Sequence, residues 1–246
     1  DRKLDTGTEV NTGISLTFHF YGGLGSLYFV FGSDVQPYTV TDHATGISVT
    51  CGEYGFLHDF VDLQQLFGTA PTSITVDFGE NLASIQELYI YTPGEVPDFV
   101  QKWQLPIDNS TDLLLYSTHG DDEQLFFAGL LPYYANAMDY TVQVVYLTNH
   151  QNENDARVHE MLNGLWAVGC DTYPVFGKYY DFLYDNIKQT YRAFENLGHP
   201  REEMLGFVVE QLRRFKPLVA VGHDFAGEYG HGQHMVYADL VAEAVT

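Results

Sequence analysis

Between about residues 8 and 93 apolar and polar positions alternate in short runs, at residues 14–20, 26–31, 47–51, 73–78 and 87–91. Gly22-Gly23, Gly32-Ser33 and Gly79-Glu80 punctuate them. A period of two with Tyr, Phe, Val and Thr enriched predicts strands, and strands joined by turn residues predict an antiparallel β-sandwich of jelly-roll type. The glycines at 22, 23 and 25 read as a turn, because no helical pattern follows them to make a phosphate-binding loop. Residues 97–106, with Pro97 and Pro106 at the ends, read as an extended connector. We therefore expect a first domain over 1–106 and a second over 107–246.

Beyond the connector the rhythm changes. Residues 112–117 form a continuous apolar run, as expected of a strand covered on both faces. Further strands are predicted at 140–147 and 217–221. Helices are predicted at 123–135, 156–167, 184–197 and 201–215, with a last one from His234. Strands alternating with helices imply an α/β, Rossmann-like, mostly parallel sheet with helices on both faces.

Charge narrows the partners. The chain carries 33 acidic against 11 basic side chains, for a net charge of -22. Residues 4–101 contain no Lys or Arg, so nucleic acid is a poor partner and an anionic membrane surface is disfavoured. An apolar content of 45% supports a packed core. No apolar run reaches the ~18 residues of a membrane span. Acidity, few lysines and many Tyr and Asn suit an exported protein, and we expect a secreted, periplasmic or cell-surface location, with a cytoplasmic one as the alternative. Cys51 and Cys170 make no metal or redox motif and are expected to be free thiols rather than an interdomain disulfide.

Ligands of open α/β sheets bind beyond the carboxyl ends of the strands, so the residues leaving each strand matter most. The strand at 112–117 runs into His119, Gly120, Asp121, Asp122 and Glu123. Three carboxylates packed so closely repel one another unless a cation lies among them. Helix capping is the simpler reading of that loop alone. The strand ending at Val221 runs into His223, Asp224, Glu228, Tyr229, His231 and His234, with the last two imidazoles three positions apart. Two histidines and a carboxylate are a donor set for catalytic Zn²⁺, and a carboxylate off the metal can take the proton of a bound water. That combination predicts a hydrolase.

Residues 112–123 resemble the strand and His-Pro-Asp-Asp-Glu signature of the N-acetylglucosaminylphosphatidylinositol de-N-acetylases, the PIG-L or LmbE-like family. Residues 227–234 resemble its Tyr-Gly-His-x-x-His signature, and Arg157 to Glu160 its Arg-x-x-Glu helix. The resemblance spans 110–246. It implies zinc held by His119, Asp122 and His234, with Asp121 as general base. It further implies His231 protonating or steadying the tetrahedral intermediate, Tyr229 assisting at the oxyanion and Arg157 contacting substrate. The reaction implied is removal of acetyl from an N-acetylated amino sugar or glycoconjugate. A different amide, or a non-catalytic glycan-binding protein with a structural metal, are the rival readings.

Gly120 departs from the family's usual Pro, and Gln233 from the Asp that many members carry. A carboxylate to support His231 would then have to come from Asp224 or Glu228. Family domains usually continue past this point, so a C-terminal segment or a partner chain is expected to complete the substrate wall. The sandwich is expected either to bind carbohydrate or to act as a spacer. Asn149 and His150 are expected near the rim, His223 and Asp224 in support of the site or in a turn, and His19, His43, His58 and His159 in structural roles. Glu123 reads as a helix-start acid, and Trp103 and Trp166 as packing residues.

Overall fold

The computed structural model describes residues 7–10, 12–33, 35–149 and 155–246. The chain forms two compact units, Asp1–Trp103 and Gln104–Thr246.

The first unit has two four-stranded antiparallel sheets. One is ordered β1 (Thr8–Val10), β8 (Ala83–Tyr91), β3 (Ser26–Phe31), β6 (His58–Asp62). The other is ordered β2 (Ser15–His19), β7 (Ser73–Asp77), β4 (Tyr38–Asp42), β5 (Ser48–Cys51). Rings of Phe29 and Phe31 from the first sheet meet Tyr38 and Phe78 from the second, with centroids 5.7 to 6.3 Å apart. Alternate side chains meeting between two sheets make the sandwich that the alternation predicts. β3 is buried along its whole length, because Val96 and Val100 fold over its outer face beside Tyr28 and Val30. The segment expected to be a connector thus begins as part of this unit's core.

The second unit is built on a four-stranded parallel sheet ordered β11 (Val175–Tyr179), β10 (Val142–Thr148), β9 (Leu113–Ser117), β12 (Val219–Val221). Every residue of β9 and β10 is buried, and since successive side chains point to opposite faces, both faces are covered. Leu114, Tyr116, Val145, Leu147 and Tyr179 pack against Phe194, Met204, Val208, Phe215, Val236, Tyr237 and Leu240. These side chains come from α4 (Ile187–Asn196), α5 (Arg201–Phe215) and α6 (Gly232–Ala244). Each fully buried side chain of this size contributes about 1.5 to 3 kcal/mol. The buried hydroxyls of Tyr116 and Tyr237 donate to the carbonyls of Val208 and Val145, which offsets the cost of desolvating them. α3 (Asp155–Ala167) lies between β10 and β11 in the chain.

Three sequence expectations are corrected. The helix expected over 123–135 is a single turn, α2 (Asp122–Leu125), followed by a π-helical turn at Pro132–Ala137; Pro132 has no N–H to donate to the Ala128 carbonyl, as an α-helix running through both would require. Strand β11 was not anticipated, because Gly177 interrupts its pattern. A Cβ at Gly177 would collide with the Leu147 carbonyl on β10, so glycine is what lets the two strands approach. The sandwich strands β1, β4 and β6 and the short α1 (Leu63–Phe67) were also missed.

Both cysteines are free thiols. No helix among the described residues is long and apolar enough to cross a membrane.

Candidate metal centre

From β9 the chain steps outward to β10 and β11, then returns to pair β12 on the other side of β9. Such a reversal leaves a crevice beyond the carboxyl ends of the strands, and the loops after β9 and β12 flank it. Thr118 pins the two flanks together. Its carbonyl accepts from Thr148 Oγ1 at 2.9 Å, and its N–H donates to His223 Nε2 at 3.0 Å.

Three donor atoms converge there. His119 Nδ1 lies 3.1 Å from Asp122 Oδ2 and 3.1 Å from His234 Nε2, and His234 Nε2 lies 3.1 Å from Asp122 Oδ2. All three side chains are buried. Ligands about 2.0 to 2.1 Å from a tetrahedral zinc lie ~3.3 Å apart, so this triangle has the dimensions of a zinc face. The donor types, two imidazoles and one carboxylate, also suit that ion. Two other buried sets also cluster: His119, His231 and His234, and Asp122, His223 and His234. His223 is committed elsewhere, because its Nε2 accepts the Thr118 N–H and its Nδ1 donates to Glu228 Oε2 at 2.6 Å.

Local sequence explains the convergence. Asp122 opens α2, and its Oδ2 accepts the His119 N–H at 2.8 Å, curling the loop so that both side chains share one side. Gly120 lets that loop lie against α3: a Cβ there would run into Met161, which is buried. On the other flank His231 caps α6 by accepting the Gln233 N–H on Nδ1 at 3.2 Å. Gly232 sits so close to Thr190 of α4 that a side chain would collide with it. His234 follows one turn into the helix, and the His231 and His234 rings stack with centroids 4.7 Å apart.

Burial opposes charge on His119, but Asp122 and Asp181 override it and hold its pKa up at about 10. Burial likewise works against ionised Asp122, yet His119 and His234 hold its carboxyl well below the usual range. Burial, with repulsion from His119 and His234, pushes His231 down to about 4; burial and His234 do the same to His223. His231 is therefore a neutral imidazole at pH 7, with Nδ1 accepting and its hydrogen on Nε2.

The other expected site residues fall around this triangle. Asp121 precedes it, and its Oδ2 accepts from Arg157 NH2 at 2.7 Å. Arg157 spends NH1 on Glu160 at 3.1 Å. Tyr229, 71% exposed, adopts a left-handed backbone at φ 47° and places its ring 5.5 Å from both His231 and His234. Glu228 does not support His231 as the sequence suggested. Its Oε2 holds His223 and lies 2.8 Å from His234 Nδ1, although that angle falls short of a full hydrogen bond. Asp224 caps its own turn through the Ala226 N–H. His150 lies outside the described residues.

Two residues escaped the sequence reading. Asp181, in the loop after β11, has Oδ1 3.3 Å from His119 Nε2; recognising β11 would have flagged it as a strand-exit residue. Gln233 accepts from His119 Nε2 at 2.9 Å, although in the sequence it showed only as a missing carboxylate.

The profile of the GlcNAc-PI de-N-acetylases, PIG-L, matches residues 114–245, more than half of the chain. The chain belongs to the PIG-L family. That match takes in residues 119–123 and 227–234, and with them His119, Asp122 and His234. Among solved structures the chain is similar to GalB, the 4-carboxy-2-hydroxymuconate hydratase from Pseudomonas putida KT2440, at 19% identity and a TM-score of 0.41, covering 55% of each chain. This chain thus spans about half the length of that structure. A comparison with curated proteins finds no match.

Proposed function

We propose that the chain is a zinc-dependent de-N-acetylase acting on an N-acetylated amino sugar, free or within a glycoconjugate. The observation that carries this reading is the triangle of His119 Nδ1, Asp122 Oδ2 and His234 Nε2 with edges of 3.1 Å. These residues would hold the zinc, which when bound supplies a Lewis acid for an amide carbonyl and lowers the pKa of water to about 7.

The surrounding residues then divide the remaining work. Asp121 has Oδ2 held by Arg157, which leaves Oδ1 to accept a proton as general base. Arg157, paired to Asp121 and Glu160, fixes the orientation of that carboxylate. His231, neutral with its hydrogen on Nε2, donates to an oxyanion rather than arriving as an imidazolium. Tyr229 stands exposed beside both histidines, where its hydroxyl can reach a substrate oxygen. Amide hydrolysis of an acetamido sugar yields acetate and the free amine, with the proton taken by Asp121 returned to the leaving nitrogen. The sugar-class substrate follows from the family's description as GlcNAc-PI de-N-acetylases.

The test is acetate release from a panel of N-acetylglucosamine conjugates by zinc-loaded protein, with the amine product identified by mass spectrometry. Acetate release abolished by chelation and restored by zinc supports the reading. Zinc bound with no acetate from any conjugate overturns it.

A further inference from the structure

Gln233 is fully buried at the start of α6, and its side chain bridges two parts of the site. Its Oε1 accepts from His119 Nε2 at 2.9 Å and from the Phe182 N–H at 3.2 Å, while its Nε2 donates to the Tyr180 carbonyl at 2.8 Å. The amide orientation follows from these partners: the Phe182 N–H needs an oxygen and the Tyr180 carbonyl needs a hydrogen. Residues 180–182 leave β11 and carry Asp181, whose Oδ1 approaches the same imidazole nitrogen at 3.3 Å. The Gln233 main-chain N–H, meanwhile, caps His231 Nδ1.

We infer that Gln233 is a positioning residue that sets the tautomers of two site histidines at once and latches the β11 exit loop to a metal ligand. Its side chain keeps the hydrogen of His119 on Nε2, so that the Nδ1 lone pair faces Asp122 and His234. Its main chain keeps the hydrogen of His231 on Nε2. Its amide nitrogen ties the Tyr180 carbonyl, which holds Asp181 against His119. A carboxylate at this position could keep the first bond but would set an oxygen against the Tyr180 carbonyl. Glutamine is the residue type that serves a donor and two acceptor bonds here. The inference rests on the zinc reading of the triangle and is independent of which amide is cleaved.

The experiment uses the full chain, with zinc alone as the probe. Zinc affinity is measured by competition with a chromogenic chelator for the wild type, Gln233→Leu and Gln233→Glu. Histidine nitrogen spectra of the zinc-loaded wild type report which imidazole nitrogen is coordinated. Loss of an outer partner of a metal histidine typically weakens binding about 10- to 100-fold, which is expected for Gln233→Leu, with partial recovery in Gln233→Glu. The wild-type spectrum is expected to show His119 coordinated through Nδ1 with hydrogen on Nε2.

A folded Gln233→Leu that binds zinc within twofold of the wild type overturns the inference, as does coordination through His119 Nε2. Should the Leu variant fail to fold, the wild-type spectrum and the Glu variant still decide. Wild-type protein that binds no zinc sinks the metal reading and this inference with it. Zinc bound without acetate release sinks only the proposed activity.

Discussion

His119 Nδ1 and His234 Nε2 lie 3.1 Å apart, although 115 positions separate them in the chain. Two buried imidazole nitrogens at that distance share either a proton or a cation. Asp122 Oδ2, 3.1 Å from each, adds a negative charge that suits either occupant. The proton version explains why His119 stays charged without metal; the triangular arrangement of three donors favours the cation.

Asp121→Asn should bind zinc with the wild-type affinity and lose about 10²-fold or more of its turnover, because it removes the base and spares the three donors. Metal analysis alongside acetate release checks it. Undiminished turnover would remove Asp121 from the mechanism.

His234→Ala should lose zinc. It deletes one corner of the triangle and leaves Glu228 with His223 alone. Because zinc bound to the folded state stabilises it by mass action, added zinc should raise the unfolding temperature of the wild type and leave that of the variant unmoved. A zinc-dependent shift in the variant would place the ion elsewhere.

Gly120→Ala should destabilise by about 1 to 3 kcal/mol, since the new methyl group meets Met161, itself 1% exposed. Met161→Ala makes room for it. In a double-mutant cycle the two changes together should cost less than their sum, read from denaturant unfolding. Additive costs would show that the loop does not rest on Met161.

Glu123 gives a pH signature. Burial pushes its carboxyl up to about 7, and neither oxygen has a well-formed hydrogen bond. A folded pKa above the unfolded value means that its contribution is complete below about pH 4.5 and is lost as pH rises through about 7. Between pH 5 and 8 the wild type should therefore lose stability relative to Glu123→Gln. Parallel unfolding curves across that range would refute the buried, proton-holding carboxyl.

Much of the site was legible because its chemistry is local in sequence. Asp122 lies three positions from His119, and His234 three from His231, so loop and helix geometry alone puts each pair on one side. The sandwich strand at 73–77 was legible because one of its faces is packed more deeply than the other and alternation follows. The helix over 123–135 was misread for the same reason. Its apolar spacing was helical, while Gly129 and Pro132 broke the backbone pattern that spacing requires. Strand β11 was hidden because Gly177 answers to a neighbouring strand's carbonyl, and no pattern within its own segment records that.

What residue type and spacing determined by themselves was the donor inventory: which side chains can bind a cation, on which strand exits, and in what order. Only the tertiary structure decided their partners. Glu228 serves His223 and approaches His234, rather than supporting His231; Gln233 serves His119 and the β11 loop; and Asp181 reaches the site at all because β11 pairs with β10. Hydrogen bonds act over about 3 Å, and the neighbours a side chain meets at that range are set by how strands stack and helices dock, not by distance along the chain.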